Sequence, residues 1–304
     1  MHSVAISPES AEWTAVAEFE RRRSHMLRRS RLFTLAGLLV FSALLLLSLE
    51  ISEFLSGSYG EMPLARIGTF LARMNPHLVS HELLGPTSEQ GSIAYWFYDL
   101  PVWARALMVS VEMALVSAVL GGAIALCAAT LMIKRLMPSA LIRHTVRRTL
   151  DAMRTFPDFI LALLFVQAFG TGPMAGVVAL MISTSSSLAR PFAEALENAD
   201  NNGVDCVKAA GGNWFLQIRY GLLPLVAPNL ISLTFIMFEA NVARSTALGI
   251  VGAGGIGSEL SKALSYNQFD TYLALVMMIV GVVIVADITS ERIRHRLFSD
   301  LVHA

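Results

Sequence analysis

The chain has 304 residues, 55% of them hydrophobic and only 15% charged, and its 23 basic and 23 acidic residues cancel. Soluble domains are about one quarter charged, so this balance excludes an ordinary soluble protein, and zero net charge excludes a basic nucleic-acid surface. The apolar residues come in continuous runs of about twenty, long enough to cross a bilayer as helices and without the alternation of barrel strands. The expectation is an all-α integral membrane protein embedded in a lipid bilayer.

Residues 1–30 read as a cytoplasmic segment in which Arg21, Arg22, Arg23, Arg28 and Arg29 mix with Glu12, Glu18 and Glu20. The run Leu32–Leu49 is long for the apolar core of a signal peptide, and no small-residue cleavage site follows it cleanly. Residues 31–50 therefore read as a retained first span. Residues 51–100 read as an exported loop, in which Leu64–Met74 has the helical spacing of an interfacial segment and Tyr95, Trp96 and Tyr98 serve as aromatic anchors. Five further spans follow at about Trp103–Met132, Phe159–Phe169, Met174–Leu188, Leu222–Ala240 and Tyr272–Ile288. They lie in a transmembrane domain of 101–295, and 296–304 form a cytoplasmic tail.

Basic residues in short loops mark the cytoplasmic side. They cluster before span one, between spans two and three (Lys134, Arg135, Arg143, Arg147, Arg148, Arg154) and after span six (Arg292, Arg294, Arg296). The stretch between spans four and five carries Arg190, Lys208 and Arg219, whereas the turn Gly170–Pro173 carries none. The expectation is about six spans with both termini cytoplasmic and multi-pass insertion in a bacterial plasma membrane. No internal repeat is evident, which weighs against an inverted-repeat transporter. Cys127 and Cys206 lack metal-ligand spacing and read as inert thiols.

The segment 195–224 is polar and glycine-bearing between two apolar runs. Its part Asp205–Pro224 holds an acid, the small residues Ala209, Ala210, Gly211 and Gly212, two aromatics, and a closing Leu223-Pro224. Such content suits a short helix–turn–helix outside the membrane, shaped to fit a partner. Its spacing resembles the signature loop of binding-protein-dependent ABC importer permeases, Glu-Ala-Ala, three residues, Gly, nine residues, Ile, one residue, Leu-Pro. Gly211 falls thirteen positions before Pro224, as that pattern requires, while Asp205-Cys206-Val207 stands where the pattern has Glu-Ala-Ala. Phe238–Gly257 further resembles the end of span five in phosphonate-type ABC importer permeases. So do Asp151–Pro157 with Leu161–Val166, Gly172–Leu180 and Gly221-Leu-Leu-Pro224, and the likeness covers roughly 100–295.

The resemblance implies a type I ABC importer permease fold. It implies a homodimer of this chain, a cytoplasmic ABC ATPase dimer and an exported phosphonate- or phosphate-binding protein. It also implies alternating access driven by closure of the ATPase. The chain has no Gly-x-x-x-x-Gly-Lys-Ser/Thr phosphate loop, so it is expected to bind no cofactor or metal itself, with ATP and Mg on the partner ATPase. Gly252-Ala-Gly254-Gly255-Ile-Gly257 matches a dinucleotide fingerprint letter for letter, but no strand–helix unit surrounds it. A bend, gate or close helix contact accounts better for these glycines.

Charges at membrane depth mark pathways. In the family the arginine follows the glutamate by four residues; here Glu239 and Arg244 are five apart, which takes them off a common helix face. Arg244 then either lines the translocation path, with Asn241 as a donor three residues before it, or snorkels to the exported interface. Ser185 and Ser187 are hydroxyl donors for an oxyanion unless they bond their own helix. Glu112, with Ser110 and Ser117, either lines a cavity, pairs with Arg105 or is protonated. Two other function classes compete: an ATP-independent secondary transporter or channel, and a membrane enzyme. The latter needs clustered ligands, and only His77 and His81, beside Glu82, have helical spacing.

Overall fold

The computed structural model describes residues 31–51, 63–76, 85–86, 91–200 and 202–302, apart from the side chains of 63–66 and 295–302. The basic residues of 1–30 and the group His77, His81 and Glu82 lie outside this range. All regular structure among the described residues is helical. Contacts divide the chain into Met1–Thr69 and Phe70–Ala304. The first unit contributes the apolar span α1, Arg31–Ile51, and most of a short amphipathic helix α2, Pro63–Met74.

The second unit begins with the single turn α3, Ile93–Trp96, capped by the Ser92 side chain, which accepts from the Tyr95 N–H. Trp96 donates its indole N–H to the Asp270 carbonyl at 2.9 Å, so this aromatic group is fixed to protein rather than standing only as an interfacial anchor. Helix α4, Leu100–Met132, is the most buried of the long apolar helices and has a proline in its first turn. Its buried side carries Ser110, Ala114, Ser117, Ala118, Gly121, Ala125 and Ala129 at three- and four-residue spacings. Small residues let helices approach closely where water gives no hydrophobic drive between them. Helix α7, Pro173–Glu197, lies against this stripe. A methyl on Gly121 would sit 2.8 Å from Thr184 Cβ, and one on Gly176 would collide with Met113 Cε.

Between α4 and α7 the chain does not simply cross and return. The basic stretch forms an amphipathic helix, α5 (Ala140–Thr155), followed by the short apolar α6 (Asp158–Phe169), and the two meet at 87°. Pro157 between them bars a continuous helix. An ion pair of 2.7 Å joins Asp151 of α5 to Arg190 of α7.

By length and composition, four described helices pass as membrane spans, or five if the bent α5–α6 pair counts as one, rather than the expected six. The difference has two causes. Helix α6 has only 12 residues, about 18 Å, too short to cross alone. Helix α7 is long enough at 25 residues, but its hydroxyl run and the charges Arg190, Glu194 and Glu197 make it too polar to qualify. It also runs nine residues beyond the expected end at Leu188.

After α7 come α8 (Asn202–Ala209), the turn α9 (Trp214–Leu216) and a π-helical turn, Gln217–Leu222, which leads into α10, Leu223–Leu248. Helix α10 therefore does not stop near Ala240. A second π-helical turn, Gly249–Ala253, follows it, then α11 (Ile256–Ser265) and α12 (Phe269–Val302). One core cluster, with Leu188, Phe192, Leu196, Val204, Leu222 and Val226, welds α7 to α8 and the start of α10. Another, with Trp103, Leu107, Ile256, Leu260 and Leu275, seats α11 and α12 on α4.

Candidate functional site

The polar segment builds a rigid knob. Helix α8 opens with Asp205 in its first turn, where a carboxylate favours the helix dipole, and closes in a Schellman turn. There the Gly212 N–H donates to the Val207 carbonyl at 2.9 Å and the Gly211 N–H to Lys208 at 3.0 Å. Gly211 sits at φ +79°, which explains the glycine at that position. Asn213 then caps α9, accepting from the Leu216 N–H at 3.0 Å, and the Trp214 indole donates to the Leu136 carbonyl at 3.0 Å. Backbone approaches backbone at Gly203 and Gly221, where a methyl on Gly203 would lie 2.6 Å from the Gly221 carbonyl oxygen. Asp205, Ala209, Ala210, Trp214, Phe215, Tyr220 and Pro224 remain exposed, Pro224 in the first turn of α10, while Gly212 and Leu223 are half-buried. The knob thus presents a fixed aromatic surface.

At the other end of α10 the glycines form a backbone knot. Gly252, Gly254 and Gly255 have φ of +95°, +80° and +71°. The Gly252 carbonyl accepts from the Gly172 N–H at 2.9 Å, joining this knot to the α6–α7 turn. Ser110 of α4 accepts the Ile256 N–H at 3.0 Å, and a methyl on Gly255 would collide with that hydroxyl. Gly257 crosses Gly249 so closely that any side-chain atom on it would strike the Thr246 carbonyl.

Between these ends lies a buried polar seam. Asn241 of α10 is fully buried and donates its amide to Thr184 of α7 at 2.8 Å and to Ser117 of α4 at 3.2 Å. Its donors are thus engaged inside the bundle. Ser185 donates to Ile182 of its own helix at 2.8 Å, so that proton is not offered outward; Ser187 is half-buried. Glu112 is exposed on the outer side of α4, as is Arg105. Interhelical side-chain bonds in membranes average ~0.6 kcal/mol. Asn241→Ala, which loses two of them, is expected to cost about 1 kcal/mol in chemical unfolding of the detergent-solubilised protein. Unchanged stability with lost uptake would instead make Asn241 part of the path.

Arg244 lies one turn on from Asn241, inside the helix rather than at its end, because α10 continues to Leu248. Its Nε pairs with Asp158 of α6 at 3.7 Å, and its buried Nη1 has no hydrogen-bond partner. Glu239 turns the other way, toward Asp287 and Arg294 of α12. The five-residue spacing does separate Glu239 from Arg244. Asp158 is the partner that reading the sequence missed; the available signal was an acid opening an apolar run directly after Pro157. A groove of about 310 Å³ between α4 and α10 is lined by Leu115, Val119, Leu126, Leu230, Phe235 and Phe238. So apolar a lining, with Thr234 as its one hydroxyl, offers a dianion little in exchange for its water.

Among solved structures, the chain resembles one from an inward-facing MetNI methionine ABC transporter, with a TM-score of 0.56 and 22% identity, over 65% of this chain and 97% of that one. The architecture is that of a type I ABC importer permease. The family model described as the binding-protein-dependent transport system inner membrane component matches residues 121–299, and the chain belongs to that family. It is a multi-pass inner-membrane transport component. Over 192 residues it is 31% identical to the phosphite transport system permease protein PtxC of Stutzerimonas stutzeri, spanning 63% of this chain and 70% of that protein. Over 188 residues it is 34% identical to the phosphate-import permease protein PhnE of Mycolicibacterium smegmatis, spanning 62% of this chain and 35% of that protein.

Proposed function

We propose that this chain is the translocation subunit of an ATP-driven importer for a phosphorus oxyanion: phosphonate, phosphite or phosphate. The observation that carries the cargo class is Arg244, a guanidinium within a spanning helix that retains a buried, unpartnered donor. Relatives named for phosphite and phosphate import support the same class. Two copies of the chain pair, both termini face the cytoplasm, and an exported binding protein delivers cargo to the glycine-knot end. At the opposite end the knob of α8 and α9 docks into a cytoplasmic ATPase dimer, which holds ATP and Mg.

The mechanism follows from the parts. Closure of the ATPase dimer moves two rigid knobs, and each is welded by Leu196, Val204 and Leu222 to α7 and α10. Those helices therefore rock as units rather than bending locally. The anion crosses by exchanging water for donors, and each copy supplies one Arg244 about the axis. Reconstitution with the ATPase and the binding protein tests this. Arg244→Ala is expected to lower phosphate, phosphite or phosphonate uptake at least about tenfold, the factor for one lost charge-assisted contact. Co-purification with the ATPase should persist. Arg244→Lys should restore part of the rate, since it returns the charge without the planar fork. Wild-type uptake by Arg244→Ala, or uptake of an unrelated solute class only, would remove the assignment.

A further inference from the structure

The ion pair between Arg244 and Asp158 has a geometry that a permanent structural bridge does not need. At 3.7 Å it is too long for a hydrogen bond, and it meets only the Nε side of the guanidinium. The buried Nη1 is left without a partner. The carboxylate comes from the first turn of α6, which has no side-chain cap. Pro157 and the 87° bend hold that turn in place. Asp158 and Arg244 both keep partial exposure, at 26% and 38% of the side chain, so the pair is not sealed inside the bundle.

We propose that Asp158 is a positioning residue that occupies Arg244 between cargo ions and sets which anions displace it. This rests on the oxyanion reading above. An unpaired arginine at membrane depth would be a standing trap for any anion and costly in itself. Paired loosely, it is neutral as a site. A small monoanion such as chloride gains little by replacing a carboxylate. A tetrahedral dianion brings more charge and can reach two guanidinium donors at once, including the one Asp158 leaves unused. After displacement, the carboxylate still lies in the first turn of α6, where the helix dipole favours a negative charge. When cargo leaves, Asp158 is close enough to return, so release does not leave a bare cation behind.

The test uses the full-length chain assembled with its ATPase and binding protein, and inorganic phosphate as the probe. Asp158→Asn removes the competing charge at constant size. It should tighten phosphate binding by the detergent-purified complex about tenfold and slow its turnover by a similar factor. Chloride should then inhibit uptake that it leaves unaffected in the wild type. Asp158→Glu should return affinity, turnover and selectivity toward wild type. A bridge that is only structural predicts lower stability and weaker assembly for Asp158→Asn, with phosphate affinity unmoved; that result overturns the proposal. Failure of Asp158→Glu to rescue selectivity overturns it as well. If the wild-type complex neither binds nor imports a phosphorus oxyanion, the cargo assignment falls and the latch with it. Normal wild-type import with Asp158→Asn unchanged removes the latch alone.

Discussion

Gly211→Arg is expected to abolish uptake while the chain remains folded in the membrane. Two separate consequences of the Schellman turn combine here. First, φ of +79° strains any side chain with a Cβ, by about 1–2 kcal/mol. Second, nothing lies within 4 Å of the position a Cβ would take, so an arginine does not collide with its own protein. It instead projects a long cation from the tip of the knob, beside exposed Trp214 and Phe215, where the proposed ATPase groove must close. Gly211→Ala separates the two effects. It carries the backbone strain without the bulk, so uptake should largely survive. The measurements are membrane abundance, co-purification with the ATPase and uptake in reconstituted vesicles. Full uptake by Gly211→Arg would move the coupling surface elsewhere.

Gly257→Ala is the most destabilising single methyl we expect in this chain. The added carbon would strike the Thr246 carbonyl and also crowd Gly249, both main-chain atoms. A flexible side chain can swing aside, but this backbone cannot, because Thr246 belongs to α10 and Gly257 to the first turn of α11. Overpacking of this kind costs about 3 kcal/mol or more when nothing can relax. The expected outcome is loss of the folded protein from detergent extracts. Gly122→Ala, whose nearest neighbours stand at an ordinary 3.5 Å, should be tolerated. Equal abundance of the two variants would show that the knot opens in the native protein.

Much of this architecture is legible in the sequence, because bilayer helices need long apolar runs and knobs outside the bilayer need turn residues. The α4 span, the knob between Asp205 and Pro224 and the glycine knot all carry such marks. Other features are illegible for definite physical reasons. Helix α5 has no fully buried residue and only half-buries Val146 and Leu150 against the core, so its basic residues read only as a sidedness signal. Helix α7 continues through Pro191 because the packing of Phe192 and Leu196 outweighs one lost backbone bond, and no local pattern reports that packing. Asn241 and Arg244 look equivalent on a helical wheel. Only the positions of α4, α6 and α7 decide that the first is enclosed by hydroxyls and the second meets a carboxylate. A pairing between residues 86 positions apart leaves no trace in spacing.

The bond from the Gly172 N–H to the Gly252 carbonyl has a different kind of consequence. It joins two loops through main-chain atoms alone, so it is indifferent to what side chains the neighbouring positions acquire. Drift in sequence can recolour this end of the bundle without loosening this stitch. Only proline at 172 would delete the donor. Side chains around this end can therefore change while the backbone join between the two turns stays the same.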